Sequence, residues 1–181
     1  MAEFTGSPAG DGRRIGVVVS RFNQEITTLL LEGAVECLLR HGVRFQDVDV
    51  VWVPGAWELP IAAERLLSTE RYDAIVAVGA VIRGETPHFD YVAGEAARGL
   101  AQLQREFVTP IGFGLLTTND DAQAEARAGG AHGNKGWDAA LAALEMADLF
   151  SRLDAAANQP DAPDAPDAPD DHDAPRDART S

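Results

Sequence analysis

The sequence predicts an α/β fold, a three-layer sandwich with a central four-stranded parallel sheet and helices on both faces. Three observations carry this expectation. Four short runs rich in β-branched residues, IGVVVS, VDVVWV, DAIVAVGAV and PIGFGLL, are spaced along the chain. Longer stretches with apolar residues at helical spacing separate them. The runs are almost continuously apolar rather than alternating, as strands covered on both faces are.

In chain order, the strands are expected at 15–20, 48–53, 73–81 and 110–116. The first helix, near 24–41, carries the apolar stripe Ile26, Leu30, Ala34 and Cys37. Further helices are expected near 57–68, 88–106, 120–128 and 135–151. Right-handed crossovers then favour the flavodoxin-like strand order 2-1-3-4. That order places the topological switch between the first and third strands. Ligands of open parallel sheets bind beyond the carboxyl ends of the strands at such a switch. The positions of interest are therefore Arg21 to Asn23, Gly55 to Glu58 and Arg83 to His88.

Residues 1–12 form an expected flexible N-terminal segment with neither a secretory signal nor a membrane span. Residues 13–153 form one domain, long enough to bury roughly 68–70% of its unfolded surface. Residues 154–181 form an expected disordered acidic tail of DAP repeats, without large apolar side chains to offset its ordering entropy. The tail's eight aspartates and two arginines contribute −6 of the net charge of −14, leaving −8 on the rest. An acidic domain argues against nucleic-acid or anionic-membrane partners, so any anionic ligand needs a local cluster of cations. Cys37 is the only cysteine, which rules out an intrachain disulfide and fits a buried thiol in a reducing, cytoplasmic compartment.

Among the residues at the switch, Thr86 is placed as a helix N-cap and Pro87 as the first helical residue, which would leave the amides of Gly84 to Thr86 facing outward. An ordinary capped helix start is the equal alternative. His88 lies in the first helical turn, where an imidazole suits proton transfer, although a lone histidine is commonly a surface or packing residue. Phe22 stands beyond its strand and could pack in the core or stack on a planar ligand. Glu58 could stabilise a helix N-terminus or accept hydrogen bonds from hydroxyls and ring nitrogens. Arg127 ends the fourth helix, where a cation is favourable in any case. Lys135, the only lysine, opens the fifth helix after Asn134, where a cation opposes the helix dipole unless an anion is near. A Walker loop is excluded, because Asn134 separates Gly133 from Lys135 and Gly136 stands where a hydroxyl residue is required.

From about Ile15 to Phe150 the chain resembles the lumazine synthases of riboflavin biosynthesis. The resemblance rests on SRFNQEIT, VPGAWELP, GAVIRGETPHFDYV, FGLLTTND and HGNKGWDAALAALEMADL, in that order. It implies a cofactor-free and metal-free condensation of 5-amino-6-ribitylamino-2,4(1H,3H)-pyrimidinedione with 3,4-dihydroxy-2-butanone 4-phosphate. It further implies that Phe22, Asn23, Ala56, Trp57, Glu58, Ala80, Val81, Ile82 and Phe113 bind the pyrimidinedione and its ribityl chain. His88 would move protons, while Glu85 and Thr86 through their backbone, with Arg127 and Lys135, would bind the butanone phosphate. Glu85 stands where the family often has a small residue, so its amide matters more than its side chain. The resemblance also implies a homo-oligomer, a pentamer closing into a 60-subunit icosahedral shell, with sites between subunits, and riboflavin synthase is a further candidate partner. Two other readings stay open here: a non-catalytic flavin or lumazine binder, and an archaeal-type riboflavin synthase.

Overall fold

The computed structural model describes residues 1–158. Its order is β1 (Ile15–Ser20), α1 (Gln24–Arg40), β2 (Val48–Val53), α2 (Leu59–Leu67), β3 (Ala74–Ile82), α3 (His88–Glu106), β4 (Ile111–Thr118), α4 (Asp121–Arg127), β5 (Ala128–Gly130), β6 (Gly133–Asn134) and α5 (Lys135–Ala157). The first four strands form one parallel sheet in the order β2-β1-β3-β4, as the sequence led us to expect.

Strand pleating sorts the side chains into two cores. Val17, Val19, Val76 and Val78 point to the face covered by α1 and α5, where they meet Leu30, Cys37, Ala140 and Leu144. Val18, Ile75 and Ala77 point to the other face, against Leu59, Ala63, Leu100 and Leu103 of α2 and α3. Helix α5 approaches closely because its inner face is small: Ala139, Ala140, Ala143 and Ala147 are all buried. At its first turn a Cβ on Gly136 would lie 1.9 Å from the Leu30 carbonyl oxygen, so only glycine fits where α5 crosses α1. Burial pushes the Cys37 thiol up to about 11, with the Asp138 carboxylate acting in the same direction.

Several boundaries differ from expectation. β3 and β4 run further because Ile82 pairs with Thr118, a match between distant residues that local propensity does not record. The second helix begins as a 3-10 turn, Ala56–Glu58, before α2. Helix α5 continues through Asp154 and three alanines, strong helix formers, into what was expected to be tail. The remaining tail residues, 159–181, lie outside the described residues. Part of the segment expected to be flexible makes specific contacts. Ser7 donates to Asp148 Oδ2 from its backbone N at 2.8 Å and from its hydroxyl at 2.9 Å, and Gly10 N donates to the His41 carbonyl at 2.8 Å. The Ser7 backbone and hydroxyl hydrogen bonds hold the Asp148 carboxyl below its usual range.

Candidate functional site

The carboxyl ends of β1, β2 and β3 are laced together by backbone and side-chain bonds. After β1 the chain is pinned beside β2, with Arg21 N donating to Val53 O at 2.8 Å and Phe22 N to Pro54 O at 3.1 Å. Asn23 then turns the chain into α1 in a left-handed conformation (φ 58°), which asparagine tolerates, and its Nδ2 donates to Ala80 O at 3.0 Å. After β2, Gly55 N donates to Glu58 Oε2 at 2.9 Å, so Glu58 closes its own turn. Its carboxylate therefore has a structural role as well as any role toward a ligand.

These ends surround a cavity of about 290 Å³. Of the candidate residues, Phe22, Ala56, Trp57, Ala80, Val81, Ile82, Thr86 and His88 line it. Its lining mixes aromatic and aliphatic side chains with few polar groups, as ligand sites do. Phe22 is 69% exposed and Trp57 56%, which decides against core packing for either ring. Helix α3 spans His88–Glu106, as the helical spacing predicts, although Pro87 was expected as its first residue. Pro87 takes the cap position, and no side chain, Thr86 included, caps the helix by a hydrogen bond. Glu85 and Thr86 are both exposed residues. Phe89 and Val92 also line the cavity. Sequence reasoning missed them, although Val92 lies one helical turn after His88 and three residues after Phe89, which was the available signal.

The other candidates stand elsewhere on the chain. Phe113, Arg127 and Lys135 border a separate cavity of about 600 Å³ along the edge of β4. Phe113 is 50% exposed there. Arg127 ends α4 with Nη1 donating to Gln123 O at 3.0 Å, leaving the rest of its guanidinium for a ligand. Asn134 caps α5, its Oδ1 accepting from Gly136 N at 2.9 Å and Trp137 N at 3.3 Å. Lys135 Nζ donates to Asp138 Oδ2 at 2.6 Å. The expected conflict between Lys135 and the helix dipole is therefore answered within the chain, by a carboxylate in the same turn. The glycine-rich turn before it is a small antiparallel hairpin of β5 and β6.

The family model described as 6,7-dimethyl-8-ribityllumazine synthase matches residues 12–151. The chain belongs to the lumazine synthase family. The 6,7-dimethyl-8-ribityllumazine synthase of Gemmatimonas aurantiaca is 67% identical over 152 residues, covering 84% of this chain and 93% of the relative. The enzyme of the same name from Aquifex aeolicus is 50% identical over 153 residues, covering 84% of this chain and 99% of the relative. The strand order 2-1-3-4 agrees with the expected fold. No helix among the described residues is long and apolar enough to cross a membrane.

Proposed function

We propose that this chain is a transferase that condenses 5-amino-6-ribitylamino-2,4(1H,3H)-pyrimidinedione with 3,4-dihydroxy-2-butanone 4-phosphate to 6,7-dimethyl-8-ribityllumazine. The observation that carries the reading is the family match across residues 12–151. The clustering of Phe22, Trp57 and His88 in one cavity supports it. The non-catalytic binder and the archaeal-type riboflavin synthase are not favoured by relatives that bear the synthase name.

The ring amine attacks the ketone carbon and the resulting imine forms with loss of water. A proton is removed beside the imine and phosphate leaves. The enol that remains becomes a ketone, and the ribityl-bearing nitrogen closes the ring on it with loss of a second water. The sum balances without an oxidant or reductant. Holding two reactants in register contributes on the order of 7–11 kcal/mol to such a reaction. In our reading Phe22 and Trp57 sandwich the ring, with Ala80 to Ile82 and Asn23 beside it. Glu58 accepts from the ribityl hydroxyls. His88 moves the protons. The amides of Glu85 and Thr86, with Arg127 and Lys135, take the phosphate.

The chain works as a homo-oligomer on small-molecule substrates. Our finer reading is a pentamer, twelve of which close into a shell, with each site joining the cavity of one chain to the β4 edge of its neighbour. Two features support it: Phe22, Trp57 and Phe113 are exposed apolar rings on separate half-sites, and the connection between α4 and α5 is short. Sedimentation showing only free pentamers would remove the shell. A cytoplasmic location and association with a riboflavin synthase belong to the same proposal. The function itself is tested by supplying both substrates and following lumazine absorbance with phosphate release. Production of both above the uncatalysed rate is expected, and riboflavin formed from supplied lumazine would point to the archaeal-type enzyme instead.

A further inference from the structure

We infer that Arg83 is the positioning residue of the loop that presents His88 and the amides of Glu85 and Thr86. The inference rests on the function proposed above. Residues 83–88 are all exposed. Among the described residues, Gly84, Glu85 and Thr86 make no backbone hydrogen bond. A Cβ on Gly84 would meet nothing within 4 Å, so packing does not hold the loop either. A loop left this free would sample many arrangements of its amides, and a phosphate would have to order it at each binding event.

Arg83 closes that gap from one side chain. Its backbone N is fixed to the end of β4, donating to Thr118 O at 2.8 Å. Its guanidinium reaches over the loop to the first turn of α3, with Nη2 donating to Asp90 Oδ1 at 3.1 Å and Nη1 to Oδ2 at 3.5 Å. The same plane lies 4.1 Å from the centroid of Phe89, a wall of the ring cavity. Nε donates to Asn119 Oδ1 at 3.3 Å, tying the loop to the start of the segment that leads into α4 and Arg127. Thus one residue before the loop clasps two residues after it, and the loop becomes a closed staple. Only arginine offers a planar fork for the carboxylate and a flat face for the ring together. The pair is on the surface, where ion pairs add little to global stability. Its effect is therefore expected in the loop's geometry and not in the fold.

The test compares Arg83→Ala, Arg83→Lys and Asp90→Asn in the full-length assembled protein. We expect kcat/KM for the butanone phosphate to fall about 10- to 100-fold in Arg83→Ala, the scale of an ångström-sized misplacement. Pyrimidinedione affinity, read by tryptophan quenching, and Tm are expected to stay at wild-type values. Arg83→Lys should resemble Arg83→Ala, because charge without the fork does not set the geometry. Asp90→Asn should fall in the same direction, and the double variant should be no worse than Arg83→Ala, since both act on one clasp. An Arg83→Ala enzyme with wild-type kcat/KM would overturn the inference. So would full rescue by lysine, or equal losses for both substrates with a lower Tm. If Arg83→Ala fails to assemble, the near-isosteric Asp90→Asn decides alone. A wild-type protein without turnover would remove the functional reading itself, whereas an active wild type with an unaffected clasp variant removes only this inference.

Discussion

The two ends of the sheet are built on opposite plans. At the amino ends of the strands, charges are paired and rings are covered by cations. Arg14 Nη2 donates to Asp49 Oδ2 at 2.7 Å, the Tyr72 hydroxyl donates to the same oxygen at 2.8 Å, and the Arg14 backbone N donates to Asp73 Oδ2 at 2.7 Å. The guanidinium of Arg14 also lies 5.9 Å from the Tyr72 ring centroid. At the carboxyl ends, apart from the Arg83–Asp90 clasp, such pairing is sparse. Phe22 and Trp57 stand exposed there. Among the described residues, the two buried side-chain oxygens without a partner, Ser20 Oγ and Thr118 Oγ1, are the last residues of β1 and β4. A stable fold satisfies its polar groups, and the places where it does not are candidates for function. The amino-end network therefore reads as structural and the carboxyl end as the candidate site.

Breaking each end should break a different property. Arg127→Ala has the largest expected effect: kcat/KM for the butanone phosphate falls about 100- to 1000-fold, as when one preorganised donor to a developing anion is lost. Steady-state kinetics against each substrate check this, with the pyrimidinedione KM expected to move far less and Tm to hold. Phe22→Ala comes next. Loss of a stacking platform costs about 1–3 kcal/mol of ring affinity, which titration of the pyrimidinedione by tryptophan fluorescence would show without a change in Tm.

The smallest effect is expected at the amino end, and it is one of stability alone. The hydrogen bonds from Arg14 and Tyr72 hold the Asp49 carboxyl below its usual range. A carboxyl whose folded pKa is depressed stabilises the fold above its unfolded pKa, about 3.9, and loses that contribution as pH falls through the folded value. Asp49→Asn should therefore lower Tm modestly at pH 7, with the difference from wild type shrinking below about pH 4. Thermal melts at several pH values check the sign, and turnover at pH 7 and 25 °C should be unchanged.

Much of this plan was legible in the sequence, and what was not has physical reasons. The strand cores were plain because parallel strands need apolar residues on both faces. Their ends were not, because the pairing of Ile82 with Thr118 joins residues far apart in the chain. Lys135 was legible as the opener of α5, but its contact with Asp138 depends on a side-chain rotamer rather than on a pattern. The hairpin formed by β5 and β6 was hidden inside a glycine-rich turn, because glycine signals permissive backbone without saying which bonds it will make. Arg83 had no periodicity to betray it. Its partners, Asp90 and Asn119, converge only once α3 and β4 are placed.

The central claim is that the cavity holding Phe22 and His88 is completed by Phe113, Arg127 and Lys135 of a neighbouring chain. The most direct test mixes two inactive variants, one carrying Phe22→Asp with His88→Ala and the other carrying Arg127→Ala, after dissociation and reassembly. In randomly mixed rings, on the order of a quarter of the boundaries would join an intact cavity to an intact clamp, because each site draws one half from each subunit. Recovery of about that share of wild-type lumazine formation is the predicted result. Activity no greater than the sum of the two separate variants, in assemblies shown to contain both chains, would contradict the claim.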